Sequence, residues 1–217
     1  MNTTSSKLVC HGVVAAAVAL LAAAPAAQAA RVKHQAAPAP VVSPYTYEII
    51  AGYDFAINDL YREADIGRIH TYGADITGVY ALDANRAYTL RLSYRCGDKS
   101  VGTANVNNEE WEITRIGIMP GYRYSKPVNE TTKYYIGGNI GLVQQSLKRT
   151  FLRNSDANTS TGIGYSAELG LIYKHSEKVS LLVGYQFSGS TNVDNVAGIM
   201  IKEQLYHTLR AGVSVKF

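Results

Sequence analysis

The segment Leu205-Tyr206-His207-Thr208-Leu209-Arg210-Ala211-Gly212-Val213-Ser214-Val215-Lys216-Phe217 decides how this 217-residue chain folds. Read at every second residue back from the end, Phe217, Val215, Val213, Ala211, Leu209 and Leu205 are apolar, and only His207 breaks the pattern. The intervening set is Lys216, Ser214, Gly212, Arg210, Thr208 and Tyr206. A period of two places the two sets on opposite faces of a β-strand. Strands of soluble proteins usually stop at about six residues, and this one continues to the end of the chain. A tilted strand crossing a bilayer needs ~9–11 residues. Taken alone, the segment fits both a membrane strand and the last strand of a secreted sandwich.

The other end of the chain narrows the choice. Lys7, an apolar run from Val13 to Ala24 and the small-residue end Ala27-Gln28-Ala29 make residues 1–29 a secretory signal peptide, cut after Ala29. No other stretch approaches the ~18 apolar residues of a transmembrane helix. Cys10 comes before most of the apolar run and follows Leu8-Val9, which excludes a lipoprotein leader. Without the leader Cys96 is the only cysteine, so no internal disulfide is expected. Lys7 is the one formal charge lost, taking the net charge from +4 to +3. That charge is too small and too dispersed for a nucleic-acid partner. A mean hydropathy near zero excludes a helical membrane protein but not a barrel, which exposes only alternate residues to lipid.

Residues 30–44 are rich in Ala, Pro and Val and read as an extended tether. From Tyr45 the period-two pattern recurs to Phe217. It predicts eight strands, at 45–57, 68–82, 86–96, 109–125, 132–147, 162–174, 178–188 and 204–217. Pro120 removes a ladder donor from the fourth, where a bulge or break is expected. The connections alternate between short turns, such as Asp83-Ala84-Asn85, and long loops at 58–67, 97–108, 148–161 and 189–203. Outer-membrane barrels show this alternation, with their short turns in the periplasm.

Two distributions decide the class. The chain has 16 Tyr against four Phe and one Trp, and tyrosine suits a membrane–water interface. Tyr45, Tyr47, Tyr80, Tyr88, Tyr122, Tyr124, Tyr134, Tyr173 and Phe217 fall near the short turns. Tyr53, Phe55, Tyr72, Tyr94, Tyr165, Tyr185 and Phe187 fall near the long loops. Between them, on the same face, lie Ile49, Ile76, Leu90, Leu92, Ile118, Ile136, Leu169, Leu181 and Val183. An apolar belt between two aromatic girdles is the outer surface of a membrane barrel. The opposite face carries Glu48, Asp54, Asp75, Arg91, Arg95, Arg115, Arg123, Glu168, Lys174 and Arg210 among glycines. A soluble ligand-binding barrel would reverse this and hold its apolar residues inside. The expected fold is therefore all-β, an eight-stranded antiparallel up-and-down transmembrane barrel over residues 45–217.

With these features the chain resembles the small eight-stranded bacterial outer-membrane family that includes the OmpA transmembrane domain, OmpX and the opacity and Ail-like adhesins. The resemblance implies a bacterial outer-membrane location with both termini periplasmic. It implies contact with outer-membrane lipids and lipopolysaccharide, and envelope structure with adhesion or recognition at the loops. It also implies that Leu209, Ala211, Val213, Val215 and Phe217 form a C-terminal insertion signal read by the barrel-insertion machinery. A longer member's peptidoglycan-binding domain is not expected, since the sequence stops at the barrel. Within the loops Leu60, Tyr61, Phe151, Leu152 and Ile199 are the apolar residues offered to an extracellular ligand.

An interior network is expected from Glu48, Asp75, Arg91, Arg95, Arg115, Arg123, Glu168 and Arg210, because eight strands leave an interior just wide enough for side chains. If Tyr80 faces Tyr88, then Asp75 faces Ser93 and can reach Arg91 or Arg95 diagonally. Glu48 and Glu168 are expected to pair with Arg115, Arg123 or Arg210. A narrow ion channel is the competing reading. Lipid A chemistry would need a nucleophile and a histidine base on one face. His70 and His207 have only Thr71 and Thr208 beside them, on opposite faces, and His175-Ser176 sits in a turn. No enzyme, cofactor or metal is expected. Cys96 reads as a tolerated rim residue and Trp111 as an interfacial anchor. Asp156 and Asp194 lack the spacing of a calcium loop.

Overall fold

The computed structural model describes residues 45–56, 67–103, 106–151, 154–192, 194–196, 199–201 and 204–216. The leader, the tether and Phe217 lie outside these residues, as do Leu60, Tyr61 and Leu152. The strands are β1 (Tyr45–Ala56), β2 (Thr71–Ala81), β3 (Arg86–Thr103), β4 (Val106–Pro127) and β5 (Thr132–Phe151). They continue with β6 (Asn154–Lys174), β7 (Val179–Ser190), β8 (Asp194–Val196), β9 (Ile199–Ile201) and β10 (Gln204–Lys216). Eight of them close into a barrel in the order β1-β10-β7-β6-β5-β4-β3-β2, and β8 and β9 form a separate hairpin. Sequence neighbours pair antiparallel all the way round, and β1 with β10 shuts the sheet. The result is the expected all-β, up-and-down, eight-stranded barrel, whose closure leaves no edge within the band where all eight strands pair. Among the described residues no helix is long and apolar enough to cross a membrane.

Alternation sorts the side chains as the sequence implies. Ile76, Leu90, Leu142, Leu169, Val183 and Leu209 stand outward and exposed, and Glu48, Asp75, Arg91 and Glu168 stand inward and buried. Tyr80 faces Tyr88 and Asp75 faces Ser93. In the closing pair the outward residues meet in register, Ala51 with Ala211 and Ile49 with Val213. Pro120 pairs with Leu90 on the β3 side. On the β5 side the ladder stops after Ile118–Leu142 and resumes in the same register at Gly121–Asn139. The missing N–H therefore gives a break without a bulge.

The three short turns are built alike. The N–H groups of Leu82, Val128 and His175 donate to the carbonyls of Arg86, Thr132 and Val179. In each turn the next side chain, Asp83, Asn129 or Ser176, accepts from a backbone N–H three residues on. Asp83 also accepts from the Asn85 N–H at 2.8 Å and pairs with Arg86 Nε at 2.5 Å. The Asn85 hydrogen bond, with help from Arg86, holds the Asp83 carboxyl below its ordinary value. A group whose folded value is depressed stabilises the fold at higher pH and stops doing so as pH falls through that value. In urea titrations Asp83→Ala should therefore lower the unfolding midpoint near pH 7. The gap to the unmodified protein should shrink below the ordinary aspartate range. An equal gap at both pH values would assign the effect to turn geometry alone.

The other rim departs from expectation. The segments 97–108 and 148–161, expected as loops, are largely strand. The β3–β4 hairpin stays paired as far as Thr103–Val106, with a register shift between Val101 and Thr103, and the β5–β6 hairpin as far as Phe151–Asn154. Stretches such as Asn154-Ser155-Asp156-Ala157-Asn158 carry no apolar alternation, because beyond an apolar belt the outward face meets water. Their neighbours complete the ladder regardless of pattern, since a paired backbone needs no particular side chain. The segment 189–203, also expected as a loop, contributes the β8–β9 hairpin.

Candidate functional site: a charged lumen under an apolar cap

Inward positions of all eight barrel strands converge on the lumen, and glycines leave the space that long side chains fill. A Cβ on Gly52 would lie 3.0 Å from Arg95 Nη2, and one on Gly184 would lie 2.5 Å from the Tyr135 hydroxyl. Through this space runs one connected chain of ion pairs. Glu48 pairs with Arg123 at 2.5 Å, and Arg123 reaches Glu168 at 3.2 Å. Glu168 also binds Arg91 and Arg210. Arg210 continues to Asp75 at 3.1 Å, Asp75 to Arg95 at 2.8 Å, Arg95 to Asp54 at 3.3 Å, and Asp54 to Arg115 at 2.6 Å. Every member is at most 8 % exposed.

Neutral groups complete the network. Thr71 and Thr208 each donate to Asp54 at 2.8 Å, and Arg91 donates to Gln186 at 2.9 Å. The Arg115 guanidinium lies 3.8 Å from the Tyr206 ring centre and that of Arg123 4.6 Å from Tyr135. Each of these buried rings lies against the face of one guanidinium. A small cavity of about 40 Å³ is left beside Arg91, Arg95 and Arg115.

The structure places all eight residues of the expected interior network in the lumen, with Asp75 on Arg95, Glu48 on Arg123 and Glu168 on Arg123 and Arg210 among the expected alternatives, while two arginines take partners outside them. Arg115 pairs with Asp54 rather than with Glu48 or Glu168, because it lies nearer the long-hairpin rim. Arg91 reaches across to Glu168 and leaves Asp75 to Arg95 and Arg210. Asp54 belongs to the network, as its inward position in β1 allows.

Toward the long-hairpin rim the lumen turns apolar. Trp111 and Leu147 are fully buried, and with Ile69, Ile113 and Val196 they form one cluster against which Val101 packs. Trp111 is therefore not an interfacial anchor. It shares the inward parity of Arg115, and the extended hairpin encloses it. Val196 arrives on β8, whose approach is tied by Asn192 Nδ2 donating to Val143 O at 3.1 Å and Ser160 O at 3.2 Å. The opposite end opens as a cavity of about 680 Å³ rimmed by Lys133, Lys174, Lys178, Lys216, Glu130 and Glu177.

The family model described as an outer membrane protein beta-barrel domain matches residues 13–217. The chain belongs to that family. Among solved structures it is similar to Neisserial surface protein A (18 % identity, TM-score 0.55, 82 % of this chain and all of that one). It is also similar to Ail, the attachment invasion locus protein of Yersinia pestis (13 % identity, TM-score 0.50, 81 % of this chain and 99 % of that one). At such identities the likeness shows the fold. No curated protein matches the chain in sequence.

The outward surface of this outer-membrane barrel carries the histidines that chemistry would need. His207 contacts the Tyr185 hydroxyl and meets Phe187 ring to edge, while Thr208 turns inward to Asp54. His70 Nδ1 accepts the Ala56 N–H at 3.2 Å, and Thr71 likewise turns inward. Neither threonine shares a face with its histidine. Among the described residues no group of three or more His, Cys, Asp or Glu is placed to hold a metal ion. Cys96 is buried and is not a free thiol, against its reading as a lone, tolerated rim cysteine. Of the insertion-signal residues, Leu209 and Ala211 are exposed on the outward face and Val213 and Val215 are half-buried there.

Proposed function

We propose that residues 1–29 direct export, residues 30–44 form a periplasmic tether, and the barrel sits in the bacterial outer membrane with both termini periplasmic. Its role is non-enzymatic: envelope structure, with the β3–β4 and β5–β6 hairpins as an extracellular adhesive or recognition surface. The observation that carries this reading is the closed lumen beneath hairpins that extend past the aromatic girdle. A chain that blocks its own interior with ion pairs and then an apolar cluster is built for its outside. The name of Ail, an attachment protein of the same fold, is consistent with such a role. Phe151, half-buried at the hairpin end with the Arg149 guanidinium 5.6 Å from its ring, is an adaptable contact residue of the kind a recognition surface uses.

Two measurements test the proposal together. Cells carrying the protein with the tips 100–109 and 150–155 replaced by short turns should keep normal surface levels and lose binding to host-cell or matrix ligands. Protease added to intact cells should cut in those hairpins and spare Lys126–Thr131. In planar bilayers the unmodified protein should give at most small, intermittent conductance. Cleavage first at Lys126–Thr131 inverts the orientation, and large steady conductance favours the narrow channel. Lipid A modification dependent on His207 or His70 would replace the proposal with an enzyme.

A further inference from the structure

The lumen network is unbalanced. Five guanidinium groups, on Arg91, Arg95, Arg115, Arg123 and Arg210, face four carboxylates, on Glu48, Asp54, Asp75 and Glu168. All are buried, so one positive charge has no carboxylate to match it. Burying an uncompensated charge is strongly unfavourable. The excess is also local: a small cavity of about 40 Å³ is lined by Arg91, Arg95 and Arg115 against Asp54 and Asp75. Two of these arginines present donors that no protein acceptor meets, the buried Nε–H groups of Arg91 and Arg115.

Three physical requirements fix the ligand. Its charge must be negative and single, to match one excess guanidinium. It must be small: a cavity of at least about 10–15 Å³ by this measure holds one water-sized species, so one monatomic anion fits. It must also tolerate a mixed wall, in which Met119 and Val143 stand with Ser93, Gln186, Ser188 and Ser190 beside the charged groups. A weakly hydrated halide meets all three. Water would satisfy the N–H groups and leave the charge unmatched, and the sign of the excess disfavours a cation. We propose that the cavity is a structural halide site, which chloride occupies between the arginines and which makes the ion network electrically neutral.

The site is separate from the hairpin surface, so its test does not depend on the adhesive reading. Folded protein in uncharged detergent is unfolded by urea at constant ionic strength while sodium gluconate is replaced by sodium chloride. An anion bound only by the folded state should lower the unfolding constant about tenfold for each tenfold rise in chloride above its dissociation constant. Bromide should act similarly, and gluconate, too large for the cavity, should not. Arg91→Gln leaves every carboxylate a guanidinium partner, removes the charge excess and deletes one unmet donor, and should abolish the chloride dependence. Arg115→Gln does the same from the other side of the cavity, should Arg91→Gln fail to fold. Crystals grown in bromide should show an anomalous peak in the cavity. Equal unfolding in chloride and gluconate overturns the proposal. So does bromide in the crystal without any effect in solution, which is binding at crystal concentration only.

Discussion

Replacing Glu168 with glutamine should destabilise the folded barrel by about 3–5 kcal/mol, the cost of breaking a buried pair from one side. Glu168 is where three arginines meet. Arg210 keeps Asp75 and Arg123 keeps Glu48, but the Arg91 salt bridge is made to Glu168. Glutamine retains the shape and one acceptor, so the loss reports charge rather than a cavity. Asp75→Ala should fall toward the lower end of the same range. Its two partners, Arg95 and Arg210, each retain a second carboxylate in Asp54 and Glu168. Reversible urea unfolding of the refolded protein measures both. Exposed pairs contribute ~0.2–1 kcal/mol, so losses of that size for both variants would mean a wet, screened lumen. They would remove the basis of the closed-lumen reading and favour a conducting pore.

How much of this was legible in the sequence depends on range. Period-two alternation, the aromatic girdles and the short turns are local. Residues such as Tyr80, Asp83 and Tyr88 carry them within a few positions, and the strand count and faces follow. The β2–β3 register was also countable, because a tight turn fixes which residues face each other. The cross-lumen partners were not. Arg91 and Glu168 lie 77 positions apart, and which inward residues share a level depends on the stagger accumulated over several strands. Asp54 was visible as an inward acid, yet its link to Arg115 required that stagger. Trp111 shows the opposite failure. Its parity with Arg115 was readable, but the expected strand began only at Glu109, and an aromatic at a strand end reads as an interface residue. The lengthened hairpin that buries it lacks an apolar signal of its own, as do the polar residues 154–161 paired with β5.

Deleting Phe217 should sharply reduce assembly while leaving export intact. β10 is the strand that closes the sheet, pairing with β1 from Thr46–Lys216 to Ala56–Tyr206. The features β10 offers to a partner that inserts the chain are its outward apolar residues, Leu209, Ala211, Val213 and Val215, followed in sequence by Phe217. Burying one such side chain contributes about 1.5–3 kcal/mol. At ~1.4 kcal/mol per tenfold, recognition should weaken by roughly tenfold to a hundredfold. Val213→Asn and Val215→Asn should produce smaller losses, because each removes less apolar surface. The internal network has no part in this step, so Glu168→Gln should lose stability after folding without the same failure of delivery. Heat-modifiable gel mobility and surface yield read the outcome in cells. The Phe217 deletion should accumulate unfolded in the periplasm, yet refold in detergent at close to the normal stability, since micelles need no recognition step. Normal surface yield would remove the insertion role from Phe217. Failure to refold in detergent would instead make the residue a structural part of the β1–β10 closure.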